Sequence, residues 1–147
     1  MSVQSDLVLA PAEAANDILA SDAPAEEWQG FTSNGMDDIK MATLLSLLSS
    51  RSPNADYDRW LSAMTVFGAE NEDGPCVYLL PDAAVGVLAA IAAKEGDEFE
   101  ELAKSWGATE EFEFSEPEEV REFLRDIGDL AETARLEQKA MFLWTSL

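Results

Sequence analysis

The sequence contains no histidine and only one cysteine, Cys76. Without histidine, the chain cannot form a Ser-His-Asp or Cys-His catalytic arrangement or a histidine-ligated metal site. One cysteine allows neither an intramolecular disulfide nor a cysteine-rich zinc site. The sequence also lacks a Ser-x-x-Lys pattern, a P-loop and a G-x-G-x-x-G motif. We therefore expect no enzyme of these classes and no bound cofactor, and only catalysis by carboxylates alone stays open.

Basic side chains are scarce, because nine Lys and Arg residues face 30 Asp and Glu residues, for a net charge of −21. Nucleic acids and anionic membranes are bound through Lys and Arg, so we expect neither as a direct ligand. The longest apolar run, residues 83–93, is shorter than the ~18 residues of a membrane span. The first residues also lack the basic and apolar regions of a signal peptide, so we expect a cytoplasmic location.

The apolar content is sufficient for one folded domain. The chain has 147 residues, 47% of them hydrophobic, and a domain of this size buries roughly 68–70% of the surface of its unfolded chain. Residues 1–74 carry 13 acidic side chains and residues 75–147 carry 17, so the charge does not form an acidic tail. We therefore predict a single acidic globular domain over residues 1–147.

Apolar residues at helical spacing predict several helices. A short helix is expected over residues 13–19, a second after Asp37 and Asp38, a short turn near residues 57–61, and an Ala-rich helix over residues 81–94. Gly86 inside the Ala-rich helix predicts close packing of another element there. Asp97 is expected to cap the next helix, and the capping box of Ser115 and Glu118 opens the longest one. The apolar stripes are Met41, Leu44, Leu45 and Leu48; Phe99, Leu102, Ala103 and Trp106; and Val120, Phe123, Leu124, Ile127, Leu130, Ala131 and Ala134.

Strands are predicted over residues 6–10, where a lead-in segment is the alternative, and over residues 64–70, 76–80 and 141–146. The second and third form a hairpin through the turn residues 71–74, because β-branched and aromatic residues flank a polar Gly-containing turn. The last segment is expected to pair beside the hairpin, with continuation of the preceding helix as the alternative. Residues 22–35 are predicted to be a loop anchored by Trp28 and Phe31. The fold class is α+β, with about five helices packed on a small, mainly antiparallel sheet.

Several isolated residues have a structural and a chemical interpretation. Cys76 is interpreted as a buried strand residue, not a reactive thiol, because no basic residue adjoins it in sequence. Adjacent carboxylates are expected at a solvated surface, since chance alone produces such pairs in so acidic a chain. The turn at residues 71–74 lacks the first and last ligands of a calcium loop. The four tryptophans are assigned to core packing, and Trp28 also to part of an interface.

Residues 95–119 hold eleven acidic side chains and one basic one, Lys104. One interpretation is a solvated face that aids solubility. The other is a negative docking surface that steers a basic partner by charge complementarity. Under the second interpretation, the partner-binding residues are Glu98, Glu101, Glu110, Glu111 and Glu113, with Trp28 as a further contact.

Four functions are compatible with these observations. In size and charge alone, the chain resembles bacterial immunity proteins and other toxin inhibitors, and this likeness implies a non-catalytic protein that docks on a basic toxin or nuclease. The first alternative is a nucleic-acid mimic, whose carboxylates replace phosphates. The second is a structural or interaction domain in which the charge has no specific role. The third is an enzyme or metal-binding protein that uses carboxylates only.

Overall fold

The computed structural model describes residues 4–34, 36–52, 54–68, 75–109 and 117–146. Its strands are β1 (Gln4–Ala10), β2 (Gln29–Asn34), β3 (Thr65–Phe67), β4 (Cys76–Leu79) and β5 (Ala140–Ser146). They form one sheet in the order β2-β1-β5-β4-β3, with every neighbouring pair antiparallel. Its α-helices are α1 (Ala15–Leu19), α2 (Pro24–Glu27), α3 (Asp38–Ser50), α4 (Tyr57–Ala63), α5 (Asp82–Ala89), α6 (Gly96–Gly107) and α7 (Pro117–Glu137). The α+β prediction is confirmed, with seven α-helices in these ranges where about five were expected.

The centre of the sheet is made by the two most apolar strands, β1 and β5. They pair along their length, with Leu7 opposite Leu143. A strand that is buried on both faces carries a continuous apolar run, and residues 7–10 and 141–144 have this pattern. The predicted hairpin is confirmed as β3 and β4, and its turn, residues 71–74, lies outside the described residues. The predicted final strand is also confirmed, between β4 and β1.

The two faces of the sheet are covered by different helices. Leu7, Leu143 and their neighbours face the large core, to which α3, α4, α5, α6 and α7 contribute. The opposite face carries Val8 and Phe142, covered by α1 and the segment around α2. The apolar stripes predicted for α3, α6 and α7 all lie against the large core, with Leu48 and Phe123 only partly buried. Side-chain alternation along β1 and β5 therefore divides the interior into two cores.

An acidic residue caps the start of α3, whereas the predicted cap of α6 is not at its start. The Asp37 carboxylate accepts a hydrogen bond from the backbone N–H of Lys40 at 2.8 Å, which caps α3. The prediction that Asp97 caps the next helix is wrong, because α6 already begins at Gly96 and Asp97 lies in its first turn. Helix α7 begins at Pro117, while Ser115 of the predicted capping box lies outside the described residues.

The prediction of a loop over residues 22–35 is wrong, because this segment forms α2 and β2. Pro24 occupies the first turn of α2, where its missing N–H costs nothing. Strand β2 is polar because it lies at the edge of the sheet, and its pairing with β1 overrides its low strand propensity. The chain approaches β1 closely at Gly30, where an added Cβ would lie 1.9 Å from the Leu7 carbonyl oxygen.

Close helix packing occurs at a different glycine from the predicted one. No atom lies within 4 Å of an ideal Cβ at Gly86, which is exposed on α5. The prediction for Gly86 is therefore wrong. A Cβ at Gly128 of α7 would lie 2.9 Å from the Cβ of Ile91, so α7 packs closely here against the 3-10 turn Ala90–Ala93 that follows α5.

Candidate partner-docking surface

Helix α6 is strongly amphipathic. Its buried side is formed by Phe99, Leu102, Ala103 and Trp106. The Trp106 indole N–H donates a hydrogen bond to the backbone carbonyl of Lys40 at 3.2 Å, and its ring lies 5.7 Å from that of Phe123 on α7. These contacts fix the helix between α3 and α7. The opposite side carries four exposed carboxylates, which we call the acidic face: Asp97, Glu98, Glu100 and Glu101.

Helix α7 extends the negative surface. Its apolar stripe is buried from Val120 to Ala134, and it exposes Glu118, Glu119, Glu122, Asp126 and Asp129. Together, α6 and α7 carry eleven acidic and four basic side chains. The negative charge of the chain is thus displayed on two packed helices whose inner sides are held in the large core.

Most of the basic side chains on these helices already have an interaction within the chain. Arg121 forms an ion pair with Glu100, with 3.5 Å between Nη1 and Oε2. The Arg125 guanidinium lies over the Phe99 ring at 4.3 Å from its centroid. Arg135 pairs with Glu132 at 2.7 Å.

Asp97, Glu98 and Glu101 have no ion-pair partner among the residues that the structure describes. These three carboxylates remain accessible to an external cation.

Like charges crowd one another along the outer side of α7. Partial burial and the neighbouring carboxylates of Asp129 and Glu122 raise the pKa of Asp126. Nearly two helical turns further on, the pKa of Glu132 is lowered by its hydrogen bond to Arg135. The two shifts have opposite signs because Glu132 has an arginine partner, whereas Asp126 has carboxylate neighbours.

A groove of about 750 Å³ runs between the end of α6 and the start of α7. Its apolar lining is formed by small side chains and one β-branched one: Ala103, Gly107, Ala108, Pro117 and Val120. Its charged lining is Asp97, Glu100, Glu101, Lys104 and Arg121. We call this feature the α6–α7 groove. An apolar floor beside carboxylates can accept a chain that presents both apolar and basic side chains.

The structure brings only part of the predicted site together. Glu98 and Glu101 are both exposed on α6. Glu110, Glu111 and Glu113 lie outside the described residues. Trp28 follows α2 and packs, partly buried, on the core of the opposite sheet face, so it does not share a surface with α6.

The sequence reasoning missed the groove. Its lining combines Ala108, which follows α6, with Pro117 and Val120 of α7, and no spacing along the chain shows that these residues meet. Asp97 and Glu100 belong to the acidic window but were not singled out there. The helical spacing of Asp97, Glu101 and Lys104 was the available signal, since residues three and four apart share one side of a helix.

Core packing of the tryptophans is confirmed for Trp60, Trp106 and Trp144, all at most 4% exposed. Cys76 lies in a strand as predicted but is only partly buried. Its thiol lies 3.6 Å from the carbonyl oxygen of Gly68 and donates to it.

A second acidic position, away from the acidic face, lies at the start of α3. Burial and the carboxylate of Asp37 raise the pKa of Asp38. Burial, and then Asp38, Cys76 and Asp37, raise the pKa of Tyr78 to about 12. Tyr78 therefore keeps its proton at neutral pH. Within the described ranges, no group of three or more Cys, Asp or Glu side chains is arranged to hold a metal ion.

Among the helices of the described residues, none combines the length and apolar character needed to cross a membrane. Comparison of the chain with protein-family models, with curated proteins and with solved structures gives no match.

Proposed function

We propose that this chain is a non-catalytic binding protein of the inhibitor or immunity type, which docks on a basic partner protein through the acidic face of α6. The observation that carries the proposal is that Asp97, Glu98 and Glu101 are exposed and unpaired among the described residues, while α6 itself is fixed by Trp106. Because the backbone of α6 is already held against the core, binding costs little backbone freedom, and the ordering cost is confined to the exposed carboxylate side chains.

Electrostatics gives this surface its selectivity. A negative surface accelerates encounter with a positively charged partner and repels nucleic acid and other acidic proteins. Lys and Arg of the partner would form charge-assisted hydrogen bonds with the carboxylates. A toxin or nuclease with a basic active site is the partner class that this chemistry fits, because covering the site would inhibit it.

We propose a cytoplasmic location for the chain. Its single cysteine excludes the intramolecular disulfides on which many small secreted domains depend. At the ionic strength of the cytoplasm, charges are screened beyond roughly 8 Å. The proposed complex therefore depends on direct contact between the partner and α6 as well as on long-range steering.

The test is capture of proteins from a lysate of the source organism at low salt, with three immobilised chains. The first is the natural chain. The second, the acidic-face variant, neutralises the three carboxylates of that face that have no ion pair within the described residues, with Asp97→Asn, Glu98→Gln and Glu101→Gln, and leaves Glu100 paired with Arg121. The third is a matched control that removes the same charge from exposed positions on the α1–α2 side: Glu13→Gln, Asp17→Asn and Glu26→Gln.

We expect one basic protein to be retained by the natural chain and by the control, and lost from the acidic-face variant. Equal retention by all three chains, or no specific retention, would contradict the proposal. Retention of several unrelated DNA-binding proteins that DNA displaces would instead support a nucleic-acid mimic.

A further inference from the structure

The α6–α7 groove differs from the rest of the acidic surface because its floor is apolar. Ala103 and Val120 are buried at its base, and Gly107, Ala108 and Pro117 are the apolar lining residues that reach the surface. A Cβ added at Gly107 would contact the Val120 side chain at 3.5 Å, so the helices are packed at the base, and the space for a side chain from another molecule lies above this contact, beside Ala108 and Pro117. A purely electrostatic surface would not need this floor.

The charges around the groove are unevenly distributed. Glu100 is already paired with Arg121, so Asp97 and Glu101 are the carboxylates of the groove that have no ion pair within the described residues. Lys104 lies on the same side of α6, seven residues after Asp97, which is about 10 Å along the helix axis. The first half of the groove therefore favours a cation, and the half near Lys104 does not.

These features select one kind of occupant. A second copy of this chain is disfavoured, because α6 and α7 together carry seven more acidic than basic side chains and would repel their own duplicate. A helix laid into a groove between helices meets both requirements, since one stripe of apolar side chains fills the floor and flanking Lys or Arg residues meet the rim.

We propose that the α6–α7 groove receives a basic amphipathic helix of the partner protein, with its apolar side chains against Ala108 and Pro117 and its cations against Asp97 and Glu101. This inference rests on the proposed function and adds the shape and chemistry of the segment that is bound. It also assigns a direction, because the basic end of that helix must lie over the first half of α6, away from Lys104.

The binding test uses two labelled peptides of about 14 residues, each roughly 21 Å long as a helix. Both contain the same numbers of Leu and Lys residues. In one, the leucines form a single stripe, and in the other they are distributed around the helix. Binding is followed by fluorescence anisotropy at low salt, with the folded state of every protein variant verified by circular dichroism.

We expect the striped peptide to bind the natural chain about tenfold more tightly than the rearranged one, a difference of about 1.4 kcal/mol. Ala108→Trp, at an exposed position of the groove, should abolish this preference. Ala83→Trp, at an exposed position on α5 outside the groove, should leave it unchanged. Lys104→Gln should tighten binding by about twofold to fivefold, because it removes a cation from the rim.

Equal binding of the two peptides, or an unchanged preference in Ala108→Trp, would overturn the groove inference. The capture experiment separates this failure from failure of the proposed function. If Ala108→Trp still retains the basic partner while the acidic-face variant loses it, docking on α6 holds and the groove is not used. If the acidic-face variant retains the partner, both proposals fail.

Discussion

The two faces of the sheet differ in how the buried polar groups beneath their helices are hydrogen-bonded. Under α6, the Trp106 indole N–H is hydrogen-bonded to Lys40, and the unmatched groups are carboxylates on the outside. On the other face, Trp144 lies opposite Asp6 in the β1–β5 pair, and both are buried. The Trp144 indole N–H and one Asp6 carboxylate oxygen have no hydrogen-bond partner within the described residues. The other Asp6 oxygen accepts from the Ala25 N–H.

Substitutions of polar groups should therefore affect the free energy of unfolding differently on the two sides of the sheet. A buried polar group without a partner costs about 1–3 kcal/mol, whereas an exposed carboxylate costs little. On the α1–α2 side, removal of a buried polar group that has no partner should therefore relieve part of this cost and offset the loss of packing. The α6–α7 side is where charges can be removed with little effect on folding, so a loss of binding there can be interpreted directly.

The largest expected difference is between the same substitution at two buried tryptophans. Trp106→Phe should lower the free energy of unfolding by about 2–4 kcal/mol, because it leaves a small cavity and removes the hydrogen bond to Lys40. Trp144→Phe should cost less than about 1 kcal/mol, because removal of the unpartnered N–H offsets the lost packing. Urea unfolding of both variants measures the two free energies of unfolding. Equal losses would contradict the difference between the two faces of the sheet.

Two glycines on helices above the large core should respond with opposite sign. Gly128→Ala should lower stability by about 1 kcal/mol, because overpacking against Ile91 exceeds the gain in helix propensity. Gly86→Ala meets no neighbour and should raise stability by up to about 1 kcal/mol. Thermal unfolding of the two variants measures the sign. Stabilisation by Gly128→Ala would contradict the tight contact between α7 and the turn after α5.

The smallest expected stability effect concerns exposed charges on α7. The pKa of Asp126 is raised on folding, so ionisation of this carboxyl destabilises the folded chain. This destabilisation develops as the pH rises above the ordinary pKa of 3.8, and it remains at neutral pH. Asp126→Asn should therefore stabilise the chain at pH 7, by less than about 0.5 kcal/mol after solvent screening, and the gain should shrink towards pH 3.8.

Glu132→Gln is the matched control for Asp126→Asn. Its folded pKa is lowered by Arg135, so its contribution to stability is present above the ordinary value of 4.5 and is lost at lower pH. Glu132→Gln should consequently destabilise the chain at neutral pH. The unfolding midpoint of each variant as a function of pH provides the measurement, and shifts of the same sign in both would contradict the described charge crowding.

The elements that could be predicted from sequence are those with strong periodicity. The stripe on α6 defines its buried face without tertiary information. The continuous apolar run at residues 141–144 indicates burial, but only its pairing with β1 and β4 distinguishes a strand from a continued helix. Strand β2 could not be predicted, because its pairing with β1 and not its polar composition makes it a strand. Gly128 lies on the apolar stripe of α7, four residues after Leu124, which the periodicity shows, whereas its contact with Ile91 is tertiary and could not be predicted.

The candidate site was only partly predictable for a related reason. The excess of carboxylates in residues 95–119 is visible in the sequence, and the exposure of Glu98 and Glu101 follows from the stripe on α6. Which carboxylates are paired depends on Arg121 reaching across from α7 to Glu100, which is a tertiary contact. The apolar floor of the groove likewise exists only after α6 and α7 have packed.

The central claim is that the acidic face of α6 docks a basic partner, and its most direct test is the association rate constant of the captured protein between about 50 and 300 mM salt. The acidic-face variant is compared with the control that removes the same charge from the α1–α2 side. We predict slower association and a flatter salt dependence for the acidic-face variant alone. Equal slopes for the two variants would show that only net charge matters and would contradict the account.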